Sequence, residues 1–251
     1  MILGLLKHPL ARDAGDIDAL ENADLRRRLV QAKPFLRRLY QEWYRSVARA
    51  LPEGPGTVLE IGSGTGFLGE FVPHLITSDV QPIAGLTLVA DARALPVEAG
   101  SLRGIVMINV LHQFNDPVRF FREASRALRP GGAIVLIEPW NTSWSRFVYQ
   151  RLHHETFLPD APNWENGPHG ALPWILFARD RGRFETEFPA LSIGAITVGM
   201  PLRYLLSGGL TLRGVIPGWS FPLWRGLESL AAPWMGRLGL FARIELRKVP
   251  V

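Results

Sequence analysis

The sequence predicts an α/β fold, a doubly wound and mostly parallel sheet, from three observations. Residues 57–61 are a short apolar run that stops at glycines. Phe67, Leu68, Phe71 and Val72 then recur at helical spacing, so a strand, a turn and a helix over 66–73 come one after another. Residues 104–110 and 133–137 are continuous apolar runs, the pattern of strands buried on both faces. Between them Asp116 can cap a helix whose first turn holds Pro117, and Arg129-Pro-Gly-Gly132 closes it, with Val118, Phe121, Ala124, Ser125 and Leu128 on its buried side.

Composition bounds the reading. A chain of 251 residues holds one sizeable domain with additions, and 47% apolar with 20% charged content predicts a packed core rather than disorder. No run of about 18 apolar residues predicts a spanning helix. The start, MILGLLKHPLARD, has too short an apolar run for a signal peptide. Cysteine is absent, which excludes disulfides and thiolate metal sites. With no export signal, the cytoplasm is the expected compartment. The net charge of +5 is uneven, with eight Lys or Arg against Asp24 and Glu42 over residues 24–49. Such a face attracts nucleic acid, an anionic membrane or an acidic substrate, or is simply a solvated helix face.

Along the chain, Leu25, Leu29, Leu36, Tyr40, Trp43 and Val47 make one apolar stripe over 16–51. Pro34 divides it into two helices and sits in the first turn of the second. Residues 1–51 are thus expected as an N-terminal helical cap, and 52–251 as the main domain. A second strand over 75–80 ends near Asp79, and a third covers 86–90. The connection between these two is about six residues, roughly 20 Å when extended, just enough to return along a strand of about 17 Å. The usual crossover helix is therefore expected to be missing there or reduced to a turn. Residues 191–198 and 240–247 read as the last two strands, and the second alternates as an antiparallel strand does.

The glycines of 62–66 allow two ligands. A dinucleotide fingerprint starting at Gly62 needs its third glycine at position 67, which is Phe67. Glu60, two positions before Gly62, suits instead a ligand with a cationic amino-acid end. Asp79, 19 residues after Glu60, falls at the end of the neighbouring strand, where a carboxylate can accept from both hydroxyls of a ribose.

With VLEIGSGTG, SDV, ADARALPV, NVLHQF and LRPGGAIVLIEP in that order, residues 58–139 resemble the class I S-adenosylmethionine-dependent methyltransferases. Among these they look like the small-molecule (type 11) enzymes related to those of ubiquinone and menaquinone biosynthesis. The resemblance implies a seven-stranded Rossmann-like sheet with an antiparallel last strand, and S-adenosylmethionine at the strand carboxyl ends. It implies that Glu60, Gly62, Ser63, Gly64 and Gly66 surround the methionine part, and that Asp79 holds the ribose beside Val80. Asp91 would face the adenine amino group, Ala92 would pack on its ring, and Asn109 and Leu111 would close the floor.

Two stretches lie outside the shared pattern. Residues 140–185 carry four tryptophans and a polar patch ending at His169, expected to shape a substrate site or to be a structural excursion. Residues 199–239 mix Tyr204, Trp219, Phe221, Trp224 and Trp234 with Arg203, Arg213, Arg225 and Arg237 against Glu228 alone. That composition fits a peripheral membrane surface, a lid over an apolar substrate, or a subdomain packed on the N-terminal helices.

The expected activity is methyl transfer to a small-molecule acceptor, an oxygen of an apolar or lipid-like metabolite. Carbon methylation and a non-catalytic cofactor-binding scaffold are the alternatives. A general base helps when the acceptor hydroxyl has a high pKa. His112 is placed for this at the end of the fourth strand, with His153, His154 and His169 as further candidates. No metal site is expected, since adjacent histidines diverge on a helix. Nucleic acid is not expected as a substrate. The basic stripe precedes the fold, and no Asn/Asp-Pro-Pro-aromatic motif comes after the fourth strand.

Overall fold

The computed structural model describes residues 7–11, 23–64, 66–152, 156–165 and 167–249. Residues 16–22 of the predicted first helix, and the candidates His153 and His154, lie outside the described residues. The described strands are β1 (Thr57–Ile61), β2 (Leu75–Asp79), β3 (Leu88–Val89), β4 (Leu102–Ile108), β5 (Leu128–Pro139), β6 (Leu191–Gly199) and β7 (Phe241–Lys248). They form one seven-stranded sheet in the order β3-β2-β1-β4-β5-β7-β6. The pairs from β3 to β5 are parallel, and β7 is antiparallel to both its neighbours.

Alternation along the central strands sends side chains into two cores, one on each face. Leu59, Ile61, Ile105, Met107, Ile134 and Leu136 belong to the first. Val58, Val106, Val135 and Ile137 belong to the second. The first face is covered by α3 (Pro117–Ala127) and by residues 156–165 and 167–188, where Phe177, Phe184 and Phe188 gather on Phe121 and Trp164 packs on Phe184 and Phe188. This is the structural alternative for that stretch. Within 140–185, Val148 and Tyr149 alone among the described residues reach the cavity described below. Asp116 caps α3 by accepting from the Arg119 amide, and Pro117 opens it, as predicted. Burial on α3 centres on Phe120, Phe121, Ala124 and Ala127, while Val118 and Ser125 stay half-buried.

The second face is covered by α2 (Pro34–Ala50), which comes after α1 (Ala23–Ala32) and starts on Pro34 as the sequence predicts. Its buried side is Phe35, Leu36, Leu39, Trp43, Tyr44 and Val47. Against it packs the insertion between β6 and β7, which carries α6 (Arg203–Ser207) and α7 (Phe221–Leu230). Two further helices, α4 (Ser143–Leu152) and α5 (Arg181–Glu187), precede that insertion. Arg203 is buried between Glu228 and Glu42 and donates to both, the two Glu42 bonds each measuring 2.9 Å. Phe35 meets Phe221 at 5.0 Å, and Trp43 stacks on Tyr204 at 6.0 Å. Lys33, also buried, donates to the Gly209 and Leu212 carbonyls. The insertion is thus a subdomain fastened to the N-terminal helices.

Two expectations fail locally. The predicted helix over 66–73 is only a single 3-10 turn, Leu68–Glu70. Gly66 and Gly69 each disfavour a helix by about 1 kcal/mol relative to alanine, and Pro73 blocks any extension of the turn. The apolar positions still pack, because Leu68 and Val72 are buried. The third strand shrinks to two residues, although the Thr87 and Ala90 amides on either side of it still donate to the Thr77 and Asp79 carbonyls of β2. The crossover before it is a pair of tight turns with no helix, as its length demanded.

Candidate functional site

A cavity of about 1160 Å³ opens at the carboxyl ends of β1, β2, β4 and β5. That is at the upper end of the range for a ligand pocket. Every expected cofactor residue except Leu111 lines it, and so does His112. Leu111 is a correction. The turn after β4 sends it into the first core, fully buried, and Val110 faces the cavity in its place. Asn109, at φ +57°, makes the reversal that inverts the two.

The glycine turn is shaped by contact. Gly62 has φ +68°, and a Cβ there would lie 2.4 Å from Val110 Cγ2, so the Val110 side chain after β4 packs directly on the bare backbone after β1. Ser63 ties the turn to β2. Its hydroxyl donates to the Glu60 carbonyl and accepts from the Ser78 amide, so it fastens the backbone rather than facing the cavity freely. Asp79 accepts from the Gly64 amide at 3.2 Å and from the Gln81 amide at 3.1 Å, one on each oxygen. Asp91 is gripped by the Arg93 guanidinium at 2.7 to 3.1 Å, and these hydrogen bonds hold its carboxyl below the usual range.

Whether the chain fits the cofactor its motifs imply can be read from orphaned atoms. Glu60 Oε2 and Asn109 Oδ1 are buried with no hydrogen-bond partner among the described residues. A buried acceptor costs about 1–3 kcal/mol if it stays unpaired. Both residues line the cavity beside the bare glycine turn, so an ammonium group or another donor from a ligand would satisfy them. The residues fit S-adenosylmethionine.

Burial pushes the Glu60 carboxyl up to about 7, with a hydrogen bond from Ser63 acting the other way. The ordinary value is 4.5, so between these limits the folded chain holds the extra proton. Stability of the free protein therefore falls as pH rises through that window, by about 3 kcal/mol in total. A cationic ligand end demands the carboxylate, so binding near pH 6 should release up to about one proton. Calorimetry in buffers of different ionisation enthalpy reads this release, and Glu60→Gln should abolish it. Equal heats in every buffer would remove Glu60 from the contact.

The group that sequence reasoning missed is Glu138. Fully buried at the end of β5, it accepts from His112 Nδ1 at 2.7 Å with one oxygen, and from the Val110 and Leu111 amides at 2.9 and 2.8 Å with the other. An acceptor on that side places the proton of neutral His112 on Nδ1 and leaves Nε2 as the ring's acceptor. A carboxylate closing a buried strand, one strand from the histidine, was the available signal. His169 is also buried, and its amide donates to the His112 carbonyl at 2.9 Å, but its ring does not line the cavity. Burial first, and then the charge of His112, lower its pKa. Tyr44 was missed as well. Its hydroxyl would lie 3.0 Å from a Cβ added to Gly66, and its ring sits edge-on to Phe67 at 4.7 Å. The roof comes from Arg26, Arg37 and Tyr40 on the N-terminal helices, and from Tyr204 and residues 208–212 of the insertion.

The strand order, with antiparallel β7 between β5 and β6, defines the class I methyltransferase fold. A family model described as a methyltransferase domain matches residues 35–188. The chain belongs to that family, and S-adenosylmethionine is its cofactor. It is 32% identical over 100 residues to the malonyl-[acyl-carrier protein] O-methyltransferase of Hahella chejuensis, covering 32% of this chain and 36% of that one. It is 24% identical over 152 residues to the demethylmenaquinone methyltransferase of Thermus thermophilus, covering 52% and 69%. The match to the Hahella enzyme thus spans about a third of that protein's length. Among solved structures, the SAM-dependent methyltransferase of Thermotoga maritima, a possible histamine N-methyltransferase, superimposes with a TM-score of 0.57. The two are 17% identical, and the match covers 91% of this chain and 96% of that one, a likeness of fold alone.

Proposed function

We propose that the protein transfers a methyl group from S-adenosylmethionine to an oxygen of a small apolar or lipid-like molecule, with His112 as general base. The observation behind this is the His112–Glu138 pair, 2.7 Å apart and buried where β4 and β5 end on the cavity. Glu60, Gly62, Gly64 and Gly66 would hold the methionine end of the cofactor, with Asn109 on the floor. Asp79 would hold the ribose beside Val80, and Asp91 and Ala92 the adenine. The cofactor supplies a methyl group on a sulfonium, which departs as a neutral thioether without help from an acid. The chain's own task is to exclude water, align the acceptor and take its proton. His112 Nε2 receives the hydroxyl proton as the oxygen becomes nucleophilic. Glu138 steadies the imidazolium through Nδ1 and keeps the ring in one orientation.

Carbon methylation is the second reading, favoured by the similarity to the Thermus enzyme over 69% of that protein's length. Labelled methyl donor offered with hydroxylated and quinol-like acceptors separates the two. Oxygen transfer yields an ether or ester, and carbon transfer a new carbon–carbon bond. Cofactor binding without turnover on any acceptor would return the chain to a binding role. The cofactor contacts are tested by Asp79→Ala, which should weaken S-adenosylmethionine binding by about 1.5–3 kcal/mol. Unchanged affinity by calorimetry would sink the ribose assignment. Among the described residues no helix is long and apolar enough to cross a membrane. Contact with a bilayer through 199–239 is in this reading peripheral.

A further inference from the structure

The insertion between β6 and β7 has an outer side that the methyltransferase fold does not use. Its inner side is accounted for: Phe221 packs on Phe35, and Glu228 is buried on Arg203. On the other side, Leu223 and Leu230 of α7 are 61% and 75% exposed. The flanking Trp219 and Trp234 are 76% and 57% exposed. Leu223, Leu227 and Leu230 fall at spacings of four and three, one face of α7, and Trp219 and Trp234 sit in the single 3-10 turns that flank it. A helix facing water carries polar groups on that face, and here it carries leucines bracketed by tryptophans.

The exposed charges that the insertion itself contributes, apart from its ion pair with α2, have one sign. Glu228, the single acidic residue of 199–239, is buried, whereas Arg213 and Arg237 are exposed, and Arg225 turns the other way, toward Glu42 of α2 at 3.5 Å. Arg38 of α2 joins them by donating to the Gly218 carbonyl at 3.0 Å, next to Trp219. Apolar residues inside a basic rim, with indoles at the edges, match the boundary of an anionic bilayer. A second copy of the chain is a poorer partner, because a two-fold contact would bring the same arginines face to face. The same insertion also reaches the site: Leu212 lines the cavity and is partly exposed, and Val215, three residues on, is 71% exposed.

We propose that α7 and its flanking tryptophans lie flat on an anionic phospholipid surface, which sets the cavity mouth against the bilayer. A consequence, resting on the methyltransferase reading, is that an apolar acceptor enters from the lipid without crossing water. Docking itself does not depend on that reading and is measured without turnover.

The test is flotation of the full chain with vesicles of phosphatidylcholine alone, or of phosphatidylcholine mixed with phosphatidylglycerol. Binding is expected to the mixed vesicles only, and to weaken in high salt. The double variant Leu223→Asp/Leu230→Asp changes exposed side chains only. It should keep its melting temperature and cofactor affinity while losing at least about tenfold in vesicle binding. Arg213→Glu/Arg237→Glu should weaken binding in the same direction. Absence of wild-type flotation with mixed vesicles overturns the proposal, as does flotation that the aspartates leave unchanged. A dimer in sedimentation that the aspartates dissociate overturns it in favour of self-association. Vesicle binding without methyl transfer on any acceptor would leave docking standing and remove only the reading of the site.

Discussion

Replacing His112 by alanine is expected to lower turnover by about 10²–10⁴-fold, the usual contribution of a positioned acid or base, while cofactor affinity stays nearly unchanged. The groups proposed to hold the cofactor, the glycine turn, Asp79 and Asp91, come from β1, β2 and the loop after β3, whereas the imidazole is fixed from β5 through Glu138. Glu138 supplies the sharper test. Glu138→Gln keeps the shape and one acceptor oxygen for the Val110 and Leu111 amides. Its new amide N–H₂ can donate to His112 Nδ1, which favours the tautomer with its proton on Nε2. That ring cannot accept the hydroxyl proton, so Glu138→Gln should approach His112→Ala in rate. Glu138→Asp should retain part of the activity. Initial rates with labelled methyl donor, set beside calorimetric titration of the same variants, check both arms. Full turnover in His112→Ala would remove the base from the mechanism and favour an acceptor that is already ionised.

The second large effect is structural. Arg203→Met should cost about 3–5 kcal/mol, the penalty for leaving a buried charge without its partner. Glu228 would lose its cation inside the protein, and Glu42 would lose the ligand that fastens α2 to the insertion. Against a total stability of about 5–15 kcal/mol, thermal melting should fall by roughly 10 °C. Arg203→Met/Glu228→Gln should recover much of the loss, since the charge stranded in the interior is then gone and the Leu202 and Arg203 amides keep their acceptor oxygen. Scanning calorimetry of the single and double variants reads this directly. A single variant that melts with the wild type would mean that aromatic packing of Trp43 on Tyr204 and Phe35 on Phe221 holds the insertion without the ion network. Because the two elements joined by Arg203 also roof the cavity, the destabilised variant should lose turnover at temperatures where it is still folded.

Much of the sheet and half of the site could be read from the chain because they rest on short-range rules. Continuous apolar runs predict strands covered on both faces, and β1, β4 and β5 are covered so. Asp116-Pro117 predicts a helix start and makes one. The span between Asp79 and Asp91 is too short for a crossover helix, and none forms. Glu60, the glycines and Asp79 gather at one end of the sheet because parallel strands all finish on the same side. Where periodicity alone was trusted, at 66–73, glycine and proline overrode it, and the stripe packed as a turn.

What sequence by itself determined is therefore local: the places of the strands, the bare turn after β1 and the carboxylates that end β1 and β2. What only the tertiary structure decided involves residues far apart in the chain. Glu138 meets His112 across 26 positions because β4 and β5 pair in register, with Ile108 opposite Ile137. Val110 rather than Leu111 faces the cavity because Asn109 adopts a positive φ that no pattern announces. Arg203 reaches Glu42 from 161 residues away to close the roof. In sequence the stretch from Trp219 to Trp234 fits a membrane surface, a lid or a packed subdomain alike. Its outward direction was settled only when Phe35, Arg203 and Phe221 claimed the other side. Such outcomes depend on which surfaces remain after the cores are filled, and that competition is long-range.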